Sequence, residues 1–381
     1  MHRLMQSFLD QNNLDGFLYV GESYGDADMY YLSRFLAGDR FAILAAKKTT
    51  LLVSSMELGR ARKESAADRV LSTSDFHISE KLKSGRRPDE AYARVLADFL
   101  RRCSVNRLGV AYRFPAGIYR SLEQDFSIEI LDSPAAGMRE IKGPEEIQAI
   151  AAAQRACERA MKRAIRLVAS SEARGEMLCR GGEPLTSEKV RRAIELSLLE
   201  DGCEAVDTIV AGGGQAADPH ARGEGPLPAH APIVIDIFPR SKSSRYFADM
   251  SRTVLKGEAS SEVLELYQAV EAAQKAGLAA VREGAMGSEV HRRVSDVFQE
   301  LGYRERDGSG FTHSTGHGVG LAVHERPSLG EAGEALKSGQ VVTVEPGLYY
   351  PDLGGVRLED LVVVKKDGCE NLTRLQRKLL V

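Results

Sequence analysis

The sequence predicts two parts of different architecture, an α/β domain over residues 1–135 and an α+β domain over residues 140–381. Three observations predict this. Short apolar runs alternate with helical patterns up to SIEIL at 127–131. SPAAG at 133–137 has the composition of a linker. Beyond it, four amphipathic helical patterns are mixed with, and followed by, apolar β-runs, which suits helices covering a curved sheet.

In chain order, DGFLYVG (15–21), FAILAA (41–46), TTLLVSS (49–55) and RLGVAYR (107–113) are bounded by turn residues or charges and read as buried strands. MELGRARKES and PDEAYARVLADFLRR between them read as helices, and SIEIL as the last strand. KGPEEIQAIAAAQRACERAMKRAIRLVA then opens a long helix. Its Ile147, Ile150, Cys157, Met161 and Ile165 recur at helical spacing, and Pro144 suits the first turn. SEKVRRAIELSLLEDG, EVLELYQAVEAAQKAGLAAVRE and SEVHRRVSDVFQELG give three more helices, the last closing at Gly302 as a C′ glycine. DTIVAG, PIVIDIF, RYFADMSRTVL, QVVTVEPGLYY and GVRLEDLVVV read as the strands of the second domain.

Composition excludes several classes. The chain has 381 residues, 43% hydrophobic and 28% charged, with a net charge of −3. Nothing in that balance suits nucleic acid or an anionic membrane. No apolar stretch approaches the ~18 residues of a membrane span, and MHRLMQSFLDQNNLDG lacks the apolar core of a secretion signal. The five cysteines (103, 157, 179, 203 and 369) are scattered and form no Cys-x-x-Cys pair. They read as reduced thiols of a cytoplasmic protein.

The chemistry concentrates late in the chain. FTHSTGHGVGLAVHE at 311–325 holds His313, His317 and His324, three of only eight histidines. Four carboxylates stand in or beside apolar β-runs: Asp236 in PIVIDIF, Asp249 in YFADMS, Glu345 in VVTVEPG and Glu359 in VRLED. One such acid is ordinarily on a solvated face. Four acids sharing a buried site would be costly and could not all stay ionised. Divalent cations resolve both difficulties, and two of them balance four negative charges. An oxygen-rich set with one imidazole suits Mn²⁺, Co²⁺, Zn²⁺ or Fe²⁺.

The order Asp…Asp…Gly-His-Gly…Glu-Pro-Gly…Arg-x-Glu-Asp, over about 220–360, resembles the pita-bread metallopeptidases: methionine aminopeptidase, Xaa-Pro aminopeptidase (aminopeptidase P) and Xaa-Pro dipeptidase (prolidase). MREIKGPEEI resembles the start of their catalytic domain. DGFLYVG and MYYLSRF resemble the N-terminal domain of the creatinase–prolidase–aminopeptidase P branch, which methionine aminopeptidases lack. The resemblance implies a pita-bread catalytic domain behind a creatinase-like α/β domain. It implies that Asp236 chelates one metal, Asp249 and Glu359 bridge two, and His317 with Glu345 hold the other. Glu345 would shuttle the proton, and His324 would meet the scissile carbonyl or its oxyanion. His220 and His313 would line the substrate pocket, with His220 also placed in the catalytic set. Arg357 and Tyr349 would stand beside the metals and substrate, Arg357 as a partner of Glu359. His2, His77, His230 and His291 match nothing and read as surface or structural residues.

The expected activity is hydrolysis of the N-terminal Xaa-Pro bond by a dinuclear enzyme, with Mn²⁺ favoured and Co²⁺ or Zn²⁺ as alternatives, in a homodimer. An aminopeptidase P-like enzyme comes first and prolidase second. A creatinase-fold C–N hydrolase, a non-catalytic binding module and a peptidase without a proline requirement are the other readings. Two departures bear on this. Asp-x-Gly at the first ligand is replaced by Asp236-Ile237-Phe238, and twelve rather than ten residues separate the aspartates. Two extra residues keep side-chain parity. PRSKSSR (239–245) reads as the exposed polar loop that absorbs them, and Phe238 as a residue that narrows the pocket. Prolidases often carry an arginine four residues after the second histidine, to clamp the dipeptide carboxylate. This chain has Ser328 there and Arg326 nearest. Loss of that cation predicts cleavage of Xaa-Pro-Yaa at least as efficient as that of Xaa-Pro. The short Glu345–Glu359 segment speaks for a dipeptidase.

Overall fold

The computed structural model describes residues 2–83, 87–305 and 308–381; the side chain of His2 lies outside that description. The chain separates into two compact units, Met1–Arg139 and Glu140–Val381.

The first unit is built on a six-stranded sheet: β1 (Gly16–Gly21), β2 (Phe41–Ala45), β3 (Thr49–Val53), β4 (Arg69–Ser72), β5 (Arg107–Ala111) and β6 (Ser127–Leu131), in the order β4-β3-β2-β1-β5-β6. β2 runs antiparallel to both neighbours and the other pairs are parallel. The central strands are apolar on both sides because both faces are covered. Helix Pro88–Arg102 packs Val95, Leu96 and Phe99 on one face, while Met29, Leu32 and Phe35 fill the other. β4 was not expected from sequence, since its four residues include only two apolar ones. SPAAG is not an extended linker. Pro134 starts a one-turn helix, Pro134–Arg139, and Ala135 is buried in the core.

The second unit opens with helix Pro144–Ala169. Pro144 sits where no N–H partner is needed, and the Glu146 carboxylate accepts from the Gly143 N–H at 2.9 Å. Its small face, including Ala153, Ala160 and Ala164, packs on a three-stranded antiparallel sheet of β7 (Ile209–Gly212), β8 (Ile233–Ile237) and β9 (Met250–Val254). Later come β10 (Gly316–Gly318), β11 (Glu325–Leu329), β12 (Val341–Val344), β13 (Gly347–Tyr350), β14 (Gly354–Arg357), β15 (Asp360–Lys365) and β16 (Gly368–Asn371). Five of these form a sheet ordered β11-β10-β12-β15-β16, and β13 with β14 forms a hairpin. Helices Ser261–Ala280 and Gly287–Glu300 pack against this group. A Cβ on Gly277 would come within 2.9 Å of Val344, so glycine sets how closely that helix approaches β12.

The long β-runs are broken where the acids stand. QVVTVEPGLYY splits at Glu345–Pro346, GVRLEDLVVV splits at Leu358–Glu359, and Asp249 precedes β9. Proline cannot donate to a ladder, so the break after β12 has a local cause. PRSKSSR is exposed only at its tip, Lys242 and Ser243. Arg240–Ser241 pairs with Cys203–Glu204, and Arg240 and Arg245 each reach a Glu204 carboxylate oxygen at 2.7 Å, with Arg245 buried.

Candidate active site

Period-two geometry brings the acids together. Asp236 lies opposite Ser251 in the β8–β9 ladder, and Asp249 is two residues before Ser251. Both aspartates therefore share a face despite the lengthened connection. Glu345 and Glu359 come from the breaks after β12 and β14. His317 sits in β10, whose backbone runs so close to β12 that a Cβ on Gly316 would lie 2.0 Å from the Thr343 carbonyl. Ligand atoms of Asp249, His317 and Glu359 all fall within 4.8 Å of one another. His317 Nε2 is 3.8 Å from Asp249 Oδ2 and 3.1 Å from Glu345 Oε1.

A cavity of about 260 Å³ opens onto this cluster, lined also by His220, His313, His324, Phe238 and Arg357. His317 and His324 meet edge to face, with ring centroids 4.3 Å apart. Two sequence expectations need correction. Tyr349 is buried rather than pocket-lining: its hydroxyl contacts His313 Nε2 at 2.9 Å and Arg357 Nη1 at 2.9 Å. Arg357 pairs with Asp236 at 2.8 Å rather than with Glu359, and its remaining donors reach Ser251 Oγ and the Pro219 carbonyl. The donors order themselves. Arg357 donates to Tyr349, and His313 Nδ1–H donates to the Ser314 carbonyl at 2.7 Å, so Tyr349 donates to His313 Nε2. Of the unassigned histidines, His230 caps a turn by accepting from the Glu258 N–H. His291 contacts Thr315 Oγ1, and His77 is exposed.

Sequence reading missed the groups that hold the ligands. Thr343 Oγ1 accepts from the His317 N–H and donates to Glu345 Oε1, both at 3.0 Å. The signal was present in VVTVEPG: Thr343 is two residues before Glu345, on the same side of an extended chain. Gln154, buried in helix Pro144–Ala169, accepts from the Asp249 N–H at 3.2 Å. No pattern within one helix would reveal that partner.

The arrangement is short of positive charge. Burial and repulsion from Asp236 push the Asp249 carboxyl well above its ordinary range, and burial with Asp249 and Glu345 does the same to Glu359. Burial disfavours charge on His317, but the hydrogen bond and charge of Glu345, with Asp249, overcome it and push the imidazole up to about 9. Burial likewise opposes ionisation of Glu345, yet the His317 hydrogen bond, with His313 and Arg357, holds it at about 2. His317 Nδ1 faces the Gly318 carbonyl at 3.1 Å and donates to it, which turns Nε2 toward the carboxylates. Asp236 Oδ1 and Glu359 Oε1 are buried without a hydrogen-bond partner among the described residues. Carboxylate oxygens left bare and an imidazole nitrogen aimed between them fit divalent cations.

A model of metallopeptidase family M24 matches residues 148–366, and one of the creatinase/prolidase N-terminal domain matches residues 2–141. The chain belongs to metallopeptidase family M24, as a peptidase with a creatinase-type N-terminal domain and a pita-bread catalytic fold. Membership of this family implies divalent metal ions. The chain is 30% identical to the Xaa-Pro dipeptidase of Pyrococcus horikoshii, over 98% of its own length and 96% of the relative's. The crystal structure of the prolidase from Pyrococcus horikoshii superposes with a TM-score of 0.82 at 27% identity, covering 99% of each chain. The X-Pro aminopeptidase of Thermotoga maritima gives 0.79 at 28% identity, over 97% of this chain and 98% of that one. These likenesses back the dipeptidase alternative better than the aminopeptidase P-like reading that sequence placed first. No described helix is long and apolar enough to cross a membrane.

Proposed function

We propose that this chain is an Xaa-Pro dipeptidase working with two divalent ions, Mn²⁺ favoured, as a cytoplasmic homodimer. The observation that carries the reading is the convergence of Asp249, His317 and Glu359 beside the bare Asp236 Oδ1 and Glu359 Oε1. Asp236, Asp249, His317, Glu345 and Glu359 would hold the ions. When bound, these would polarise the scissile carbonyl and acidify a water near neutral pH. Glu345, hydrogen-bonded to Thr343, takes the proton from the attacking water and delivers it to the leaving proline nitrogen. His324 donates to the carbonyl oxygen as it gains charge. His220 and His313 frame the cavity around the dipeptide. The Asp236–Arg357–Tyr349–His313 chain of hydrogen bonds fixes the His313 ring without needing a proton from solvent. Full-length likeness to proteins named Xaa-Pro dipeptidase supports the dipeptide substrate, and five free cysteines support the compartment.

Ser328 favours a second reading, in which the enzyme accepts a chain beyond proline. A groove of about 890 Å³ shares His313 and Ser314 with the metal cavity, and Ser328 supplies no cation against a dipeptide carboxylate. Matched Ala-Pro and Ala-Pro-Ala peptides, assayed under saturating Mn²⁺, separate the two. The dipeptidase reading expects kcat/KM at least ~10-fold higher for Ala-Pro, enough to outweigh one differential hydrogen bond. Equal or better cleavage of Ala-Pro-Ala gives the second reading its place.

A further inference from the structure

We propose that Lys142 is a positioning residue for His324, acting through Glu325; this rests on the reading that His324 contacts the scissile carbonyl. Lys142 Nζ lies 2.7 Å from Glu325 Oε1, with the two side chains 1% and 7% exposed. A buried ion pair is a weak way to gain stability, because desolvation offsets most of the attraction. Its place in the fold indicates what it does instead.

Glu325 follows His324 directly and begins β11. The turn from His317 to His324 folds around its carboxylate. Glu325 Oε2 accepts from the Ala322 N–H at 3.4 Å, and a Cβ on Gly320 would lie 2.3 Å from Oε1. Glycine at 320 is therefore what lets the carboxylate lie against the turn backbone. Gly320 is held in turn by the Phe247 N–H, which donates to its carbonyl at 2.8 Å. On the other side, the Lys142 N–H donates to the Gly339 carbonyl at 2.9 Å, and Nζ also reaches the Glu140 carbonyl at 3.2 Å. Lys142 thus stands as a fixed post two residues before helix Pro144–Ala169.

The two histidines differ in what holds them. His317 has its backbone N–H on Thr343, its Nδ1 on the Gly318 carbonyl and a ladder partner in Ser328. The His324 ring makes no hydrogen bond among the described residues. Its distance from His317 is set by the backbone of the 318–325 turn, and that backbone is shaped around Glu325. Removing the ammonium takes away the cation that lies 2.7 Å from this buried carboxylate, which should reshape the turn and displace His324 while leaving the ligands in place. A displacement of about 1 Å in a catalytic group costs on the order of 10²-fold.

The test is a double-mutant cycle on the Mn²⁺-loaded enzyme with Ala-Pro as substrate, reading kcat, KM, bound metal per chain and melting midpoint. Lys142→Met should keep its metal and lose ~10–10²-fold in kcat with KM little changed. Added to His324→Ala, it should cost less than ~3-fold more, because the group it positions is already gone. Glu325→Gln, run in the same two backgrounds, gives the same pattern and stands in if Lys142→Met fails to fold. An equal loss in both backgrounds, or loss of metal, overturns the proposal and makes the pair a general structural contact. A His324→Ala enzyme with unchanged kcat overturns the underlying reading of His324, and the proposal with it.

Discussion

Glu359 and Asp360 are neighbours in sequence, both buried, and they meet opposite fates. Asp360 points to one side of its strand, where Arg252 Nη2 reaches it at 2.8 Å and Asn371 Nδ2 donates to its second oxygen at 2.8 Å. Arg252 Nη1 donates to the carbonyls of Ser251 and Glu359 and Nη2 also to that of Leu375, while its Nε has no partner among the described residues. Glu359 points to the other side, among Asp249, Asp236 and Glu345, where one of its own oxygens has no partner among the described residues. The same two strand segments therefore carry a nearly self-neutralised ion pair and a cluster whose charge is unmet. Burial of an acid does not make a metal site; the shortage of donors around it does.

The sharpest way to break that comparison is to remove the metal. Exhaustive chelation should abolish Xaa-Pro hydrolysis entirely, and Mn²⁺ or Co²⁺ should restore it, followed by peptide assay alongside metal analysis of the same samples. Protein shown to be metal-free yet fully active would put the unmet charge down to something other than cations.

Next in size are the two neighbours themselves. Asp360→Asn strands a buried guanidinium and should cost ~3–5 kcal/mol in unfolding free energy whether or not metal is present. Glu359→Gln should do the reverse in chelated protein. It relieves repulsion, so the denaturation midpoint should hold or rise, while stabilisation by added Mn²⁺ disappears. Denaturant titrations of the two variants with and without chelator decide it. Destabilisation of the chelated protein by Glu359→Gln would mean that Glu359 is already satisfied without an ion.

His324 borders the cluster without a charge partner of its own. His324→Ala should keep its bound metal and lose ~10²–10³ in kcat, the usual cost of one oxyanion donor. Loss of metal in that variant would instead place His324 among the ligands and redraw the boundary between the two regions.

How far these features could be read from sequence follows from their range. β2 and β3 of the first unit were legible because FAILA and TTLLV are uncharged runs rich in apolar residues, which suits strands buried on both faces of a covered sheet. The four acids were legible because each interrupts an apolar run. What was hidden depends on contacts distant in the chain. Arg357, which the resemblance placed beside Glu359, does share its face by period-two spacing and lines the same cavity, but its guanidinium bonds to Asp236, a residue 121 positions upstream. Tyr349, which the resemblance placed near the metals and the substrate, is buried, and its bonds to His313 and Arg357 depend on contacts that the sequence does not show. PRSKSSR looked exposed because its charges are visible in sequence and Glu204, which meets two of them, lies far upstream. Lys142 and Glu325 escaped notice for the same reason.

The smallest expected effect concerns Phe238, which lines the metal cavity one residue beyond β8, between the two aspartates in sequence. Glycine is the common residue at this position in the resembling family, and no aromatic neighbour stacks on the Phe238 ring among the described residues. The cavity of about 260 Å³ lies below the ~300–1,000 Å³ usual for ligand sites, which is consistent with a ring taking up substrate space. Phe238 carries no charge and supplies no ligand atom, so replacing it should leave the carboxylate cluster and its metal as they are. Phe238→Gly should then raise kcat/KM for Phe-Pro relative to Ala-Pro by ~10-fold or more, the scale on which pocket volume discriminates among apolar side chains. Phe238→Ala should give a smaller change in the same direction, and Ala-Pro itself should stay within ~3-fold of the parent rate, well under the effect of one misplaced catalytic group. A ratio that does not move, with metal content intact, would place the first residue of the substrate on a different wall of the cavity, away from the Asp236–Asp249 side.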